Sequence, residues 1–317
     1  MLDHVPGAPR SKRSERIAAV GYDYAAQDKE HSAGCNLCGA RGREVEVARR
    51  DRYGYPATLV VCGRCGLGYL SPRLSATGYA RFYAGVYRPL VSAYHGRRID
   101  AHSVQLEQLD YAAGLAAFLE PWLGSSSQTI LDVGGSTGVV AGVLAESLNA
   151  RATILDPAAD ELAVAHAAGM EVVTGLAEDF EPGERRWDLV LLCQTIDHLL
   201  DVRGTLAALR RMTAPGGRAF VDILDVGCMV PWMDGIEQVV KIDHPYYLTR
   251  STAVAFFDLA GYKVVGERSS DDGHRGFVLA PGACAEPDWA VLEESAAASL
   301  EGGWSQPAHS RKPMVPG

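Results

Sequence analysis

A chain of 317 residues with 47% hydrophobic and 22% charged side chains has the make-up of a globular protein with room for about two domains. Its formal charge of −9 sets the overall field against a phosphate backbone, so nucleic acid is excluded as an expected partner. No apolar run approaches the roughly 20 residues that span a bilayer, and residues 1–16 lack a signal-peptide core, so a cytoplasmic, non-membrane protein is expected.

Residues 1–30 show no sustained period and read as a flexible lead segment, its basic run from Arg10 to Arg16 solvated. The cysteines follow. Cys35-Asn-Leu-Cys38 and Cys62-Gly-Arg-Cys65 are two CxxC pairs with 23 residues between them, each followed by a glycine, Gly39 and Gly66. A redox CxxC belongs at a helix start in a thioredoxin-like setting, which is absent, and disulfides are rare in the cytosol. Four thiolates on two tight turns suit tetrahedral Zn²⁺ and leave no open coordination position, so the expected metal is structural. Residues 31–75 are read as this zinc-binding ribbon, with 53–61 as a strand leading into the second pair. Residues 76–125 are a helical connector, with Leu106, Leu109, Leu115, Phe118 and Leu119 at helical spacing.

The sequence Thr129-Ile-Leu-Asp-Val-Gly-Gly-Ser-Thr-Gly138 then runs from an apolar strand into a glycine-rich turn, and an Ala/Val/Leu-rich helix follows. Glycines at 134, 135 and 138 let the backbone turn sharply and leave room for a ligand near the free N–H groups of the helix start. Asp156 ends the next strand-like run, where an acid can accept both ribose hydroxyls of an adenosine. Taken alone, a glycine-rich turn is also found in many α/β proteins without a cofactor. From 129 onward strands and helices alternate: strands 129–133, 152–156, 170–173, 187–192 and 217–223, with helices 138–148, 158–168 and 201–213 between them. That pattern predicts a Rossmann-like, doubly wound, mostly parallel sheet. Helix 250–260 and strands 262–267 and 276–280 complete it, the last two close enough to pair antiparallel. The sheet domain is taken as 126–282 and the remainder, 283–317, as a weak helix and tail.

Asp132-x-Gly134-x-Ser136-x-Gly138 resembles the first motif of the class I S-adenosylmethionine-dependent methyltransferases, with Ser136 in place of a glycine. The pattern of two CxxC pairs with Gly66-Leu67, Pro72-Arg73 and Phe82-Tyr83 resembles the ribbon that precedes some bacterial methyltransferases of polysaccharide and natural-product pathways. The resemblance implies a final antiparallel strand and S-adenosylmethionine held by Asp132, Gly134, Gly135, Ser136 and Gly138, with Asp156 on the ribose. It also places Ala177 beside the adenine, with Glu178 or Asp179 as the acid there because Leu176 holds the usual acid position, and Gln194, after the fourth strand, at the methyl-bearing end. His198 resembles the His of the family's EHL sequence, and 243–249 resembles its H-x-x-y-f-t stretch. His244, in a loop after the fifth strand, is the first candidate general base and His198 its rival. The insertion from Gly227 to Ile242, with Trp232 and Met233, is a candidate lid over an acceptor pocket.

The expected reaction is methyl transfer by in-line displacement to a small-molecule or carrier-bound acceptor, a sugar or natural product. Two alternatives stand beside it: another S-adenosylmethionine reaction on the same fold, and a ribbon-based recruitment module with a vestigial cofactor site.

Overall fold

The computed structural model describes residues 10–99, 101–124, 128–177, 179–230, 233, 235–270 and 273–302. Seven strands, numbered here within the larger sheet, carry its architecture: β1 Thr129–Val133, β2 Arg151–Asp156, β3 Glu171–Thr174, β4 Trp187–Leu192, β5 Thr213–Leu224, β6 Tyr262–Ser269 and β7 His274–Pro281. Their order across the sheet is β6-β7-β5-β4-β1-β2-β3. Strands β5, β4, β1, β2 and β3 pair parallel in turn. β6 and β7 pair antiparallel along nearly their whole length. The order reverses direction at β1, and at such a switch point the carboxyl ends of the strands open a crevice for a ligand.

The central strands β1, β2 and β4 are apolar because both faces of a parallel sheet are covered, whereas the edge strands β3 and β6 are partly exposed. In β4, only Asp188 escapes burial, and its carboxylate accepts from the Thr129 N–H at 2.9 Å, locking the start of β1. Ile130, Ile154, Leu189 and Leu191 are fully buried with Leu115, Leu119 and Leu144 from two helices, Ala101–Leu119 and Val139–Leu148. Each such leucine contributes about 1.5–3 kcal/mol relative to exposure. The buried face of Ala101–Leu119 is Ala112, Leu115, Ala116 and Leu119, at spacings of three and four, whereas Leu106 and Leu109 are exposed. Strand β5 starts earlier than its sequence predicts: Pro215-Gly216-Gly217 interrupt its register with β4 rather than precede it.

The chain divides into two compact units. The sheet, with residues 99–223 and 253–287, is one. The other collects residues 10–98, 224–252 and 288–302. Its four-stranded antiparallel sheet has the order Tyr246–Tyr247, Gly68–Leu70, Leu59–Cys62, Glu44–Ala48. The segment after β5 thus supplies an edge strand to the cysteine-bearing sheet. Leu70 N–H donates to the Pro245 carbonyl at 3.0 Å, Arg52 N–H to the Val240 carbonyl at 2.9 Å, and the Tyr79 hydroxyl to the Ile242 carbonyl at 3.1 Å. Helices Arg10–Ala19, Ala76–Gly85, Tyr87–His95, the short Val226–Met229 and Trp289–Gly302 belong to this unit. Arg10–Ala19 is helical although the sequence there has no sustained apolar period. Within the last of these helices Ala296 packs on Gly66, and Arg64 lies over the Trp289 ring at 5.1 Å. Among the described residues no helix is long and apolar enough to cross a membrane.

Candidate active site and metal centre

At the end of β1 the chain turns through three left-handed residues, Gly134 (φ 71°), Ser136 (φ 52°) and Gly138 (φ 77°). Gly134 is needed for space as well as for φ, and Gly138 mainly for φ, since its nearest neighbour is the flexible end of Met170. A Cβ on Gly134 would fall 2.6 Å from Thr195 Cγ2, and one on Gly138 would fall 2.8 Å from Met170 Cε. The loop is tied to β2 by the Gly134 N–H, which donates to the Leu155 carbonyl at 2.8 Å. Asp156 accepts from the Ser136 N–H at 3.0 Å through one oxygen and from the Ala158 N–H at 2.8 Å through the other. The Ser136 hydroxyl donates to Glu161. A carboxylate has about four lone-pair sites, so Asp156 keeps acceptor capacity for two hydroxyls.

Asp132 is 1% exposed, and its Oδ2 has no hydrogen-bond partner among the described residues. Burial pushes its carboxyl up to about 7, with the charge of Asp156 adding to the shift. A Cβ on Gly135 would lie 2.7 Å from that same oxygen. That oxygen is enclosed and faces the bare Cα of Gly135 without a donor, while a hydrogen bond with the Ala141 backbone favours the charged form of the acid. An unpaired buried acceptor costs about 1–3 kcal/mol, and a ligand carrying a donor and positive charge would offset it. S-adenosylmethionine, whose ammonium and sulfonium are both cationic, fits the set.

After β3, Ala177 is buried, Leu176 is exposed, and Glu178 lies outside the described residues, as does Trp232. Past β4, Gln194 adopts φ 52° with its side chain exposed. Its N–H donates to Asp222 Oδ1 at 2.5 Å, and the Tyr111 hydroxyl donates to Asp222 Oδ2 at 2.6 Å. Neither contact is legible in the sequence, because a left-handed non-glycine is not visible in residue type. His198 closes the short turn Ile196–His198, its N–H donating to the Thr195 carbonyl at 3.0 Å. His244 belongs to the other unit, where it is 6% exposed with Nε2 at 3.6 Å from Asp243 Oδ2. The glycine loop, Asp132, Asp156, Gln194 and His198 therefore share one unit, and His244 shares its unit with the cysteines.

Those cysteines form a second centre. Sγ of Cys35 is 3.5 Å from Sγ of Cys65, Sγ of Cys38 is 3.6 Å from Sγ of Cys62, and all four sulfurs lie within 4.8 Å of one another. Zinc–sulfur bonds of about 2.3 Å in a tetrahedron place sulfurs roughly 3.8 Å apart, so the group has the size of a zinc site. The two turns are built alike. Gly39 N–H donates to the Cys35 carbonyl and Gly66 N–H to the Cys62 carbonyl, each at 2.8 Å, with φ 71° and 78° at the glycines. Cys35 N–H and Cys62 N–H reach the carbonyls of Ala40 and Leu67, each at 2.9 Å. Hydrogen bonding among the four sulfurs divides them, drawing the Cys38 and Cys62 thiols down and pushing those of Cys35 and Cys65 up.

A family model described as a methyltransferase domain matches residues 104–267, slightly more than half of the chain. No curated protein matches. Among solved structures, the CcbJ methyltransferase from Streptomyces caelestis is similar at 16% identity and TM-score 0.46, covering 54% of this chain and 90% of that one. The glycopeptide N-methyltransferase MtfA complexed with S-adenosyl-L-methionine is similar at 14% identity and TM-score 0.43, covering 55% and 94%. An S-adenosylmethionine-dependent methyltransferase from Clostridium acetobutylicum is similar at 12% identity and TM-score 0.45, covering 64% and 99%. On the match over 104–267, and with the acid, the glycine loop and the β6-β7-β5-β4-β1-β2-β3 sheet in place, the chain belongs to the class I S-adenosylmethionine-dependent methyltransferases.

Proposed function

We propose that the protein transfers the methyl group of S-adenosylmethionine to a small-molecule or carrier-bound acceptor of the sugar or natural-product kind. The observation that carries the cofactor assignment is the left-handed glycine loop between Asp132, whose Oδ2 has no donor among the described residues, and Asp156. Asp132, Gly134, Gly135, Ser136 and Gly138 would hold the methionine half, Asp156 the ribose, Ala177 the adenine, and Gln194 the methyl-bearing end. When bound, the cofactor supplies an already activated methyl on a sulfonium. What remains for the chain is to hold the acceptor in line and exclude water, since positioning alone removes much of the barrier.

His244 is proposed as the group that takes a proton from a hydroxyl or acidic carbon of the acceptor, with His198 as the rival. The Asp243 carboxylate beside the ring, with Oδ2 at 3.6 Å from Nε2, supports this. The four thiols would hold one structural Zn²⁺, which fixes the ribbon on which the 246–247 strand is paired. Thiols kept reduced for metal are the support for a cytoplasmic enzyme. A surplus of negative charge argues against a nucleic-acid acceptor.

Mass spectrometry of cofactor products after incubation with carrier-bound and free sugars tests the reading. S-adenosylhomocysteine together with a product heavier by one methylene is the expected result. Methylthioadenosine instead would assign a different sulfonium reaction.

A further inference from the structure

We infer that Asp222 and Tyr111 are positioning residues of the cofactor site, acting together to hold Gln194 in its left-handed conformation against the glycine loop. The inference rests on the cofactor reading above. Asp222 stands at the carboxyl end of β5 and is 3% exposed. Both its oxygens are occupied, Oδ1 by the Gln194 N–H and Oδ2 by the Tyr111 hydroxyl. Tyr111 is itself held from behind. The Arg268 guanidinium lies 5.6 Å over its ring, 5.2 Å over Phe118 and 5.4 Å over Phe220, and the Arg268 side chain donates to the Gly114 carbonyl at 3.2 Å.

Two costs are incurred at one place. A buried carboxylate loses hydration, which raises the Asp222 carboxyl's affinity for its proton. A glutamine at φ 52° is strained where a glycine would not be. Neither cost serves the sheet core, where apolar residues would pack more favourably. What they fix is the turn 193–195, and that turn abuts the cofactor loop: Thr195 Cγ2 occupies the space that a Cβ on Gly134 would need. Thr195 is fixed in its turn by its hydroxyl, which donates to the Cys193 carbonyl at 2.8 Å. The Gln194 side chain is left exposed at the carboxyl edge of the sheet. If Asp222 let the turn relax, Thr195 and the glycine loop would shift together.

Calorimetric titration of the full-length zinc-loaded protein with S-adenosylhomocysteine tests this, with thermal unfolding of each variant alongside. Asp222→Ala should weaken binding by about tenfold or more, the cost of one strained residue released. Asp222→Asn, which keeps an acceptor for the Gln194 N–H, should restore affinity to within about threefold. Gln194→Gly takes a positive φ unaided, so in that background the further change Asp222→Ala should be nearly silent, whatever the loss of the Gln194 side chain itself costs. Gln194→Val leaves the buried acid untouched but resists a left-handed backbone, and it should weaken binding as Asp222→Ala does even where the latter fails to fold. Unchanged affinity in Gln194→Val, or equal losses in Gln194→Gly and Gln194→Val, would overturn the assignment. Wild-type protein that does not bind the ligand would overturn the cofactor reading itself.

Discussion

The Ser136 N–H meets Oδ2 of Asp156 at 3.0 Å, so the acid expected to bind the ribose also pins the one non-glycine residue of the loop at positive φ. Asp156→Ala therefore removes two things at once. Binding of S-adenosylhomocysteine should weaken by about 1.5–3 kcal/mol for the lost charged hydrogen bond to ribose, and further as the loop loses its tether. Asp156→Asn, which still accepts from the Ser136 N–H, should lose less. Calorimetry of the two variants checks this; equal affinity of Asp156→Ala and wild type would remove Asp156 from the site.

The carboxyl of Asp132, raised to about 7 by burial, makes cofactor affinity depend on pH. Below that value it is largely protonated and offers little to a cationic ligand. Binding constants for S-adenosylmethionine should rise severalfold between about pH 6 and pH 8, with proton release, and Asp132→Asn should flatten the profile. Stability of the free protein moves the other way. Unfolded, the group has an ordinary pKa near 3.9, so from about pH 4 to 7 the folded chain retains a proton the unfolded chain gives up. Stability falls as pH rises through that window. Asp51, raised to about 8 by burial, acts with the same sign over a wider range. Unfolding temperatures measured at pH 6 and pH 8 without cofactor should be lower at pH 8.

One zinc per chain is expected from elemental analysis of protein purified without chelator. Cys38→Ser should lose the metal and lower the unfolding temperature, and removal of zinc from wild type should reproduce that loss, because metal binding is coupled to folding of the ribbon. Metal content near zero in wild type, with an unfolding temperature insensitive to chelator, would contradict this.

Substituting the two histidines separates their roles once an acceptor is in hand. His244→Gln should lower turnover by roughly 10²–10⁴-fold with cofactor affinity kept, the range for loss of a general base. His198→Gln should change turnover far less. The reverse order would move the base to His198, and near-normal turnover in both would leave positioning as the source of the rate.

The parallel sheet could be read from the sequence because alternating strand and helix patterns are local, and each βα unit repeats the same signal. The glycine loop was visible for the same reason: the residue type reports the backbone it must adopt at Gly134 and Gly138. Ser136 and Gln194 adopt the same region without announcing it, since their conformations are imposed by Asp156 and Asp222. Leu106 and Leu109 continue an apolar period yet stay exposed, so periodicity overstated the buried length of that helix. Least legible was the pairing of Tyr246–Tyr247 with Gly68–Leu70, a two-residue strand whose partner is far away in sequence and leaves no pattern of its own.

That pairing has a consequence for biogenesis. As the chain leaves the ribosome, both CxxC turns are present long before Tyr246 is made, and β1 to β5 are completed in between. Until then the Gly68–Leu70 strand is an uncovered sheet edge, open to wrong partners. The polypeptide runs from the ribbon unit to the sheet and back twice. Recombination cannot transplant either unit as one contiguous stretch of gene. A fragment of residues 126–282 would carry 224–252 without the strand it pairs with, and should be more prone to aggregate than the whole chain.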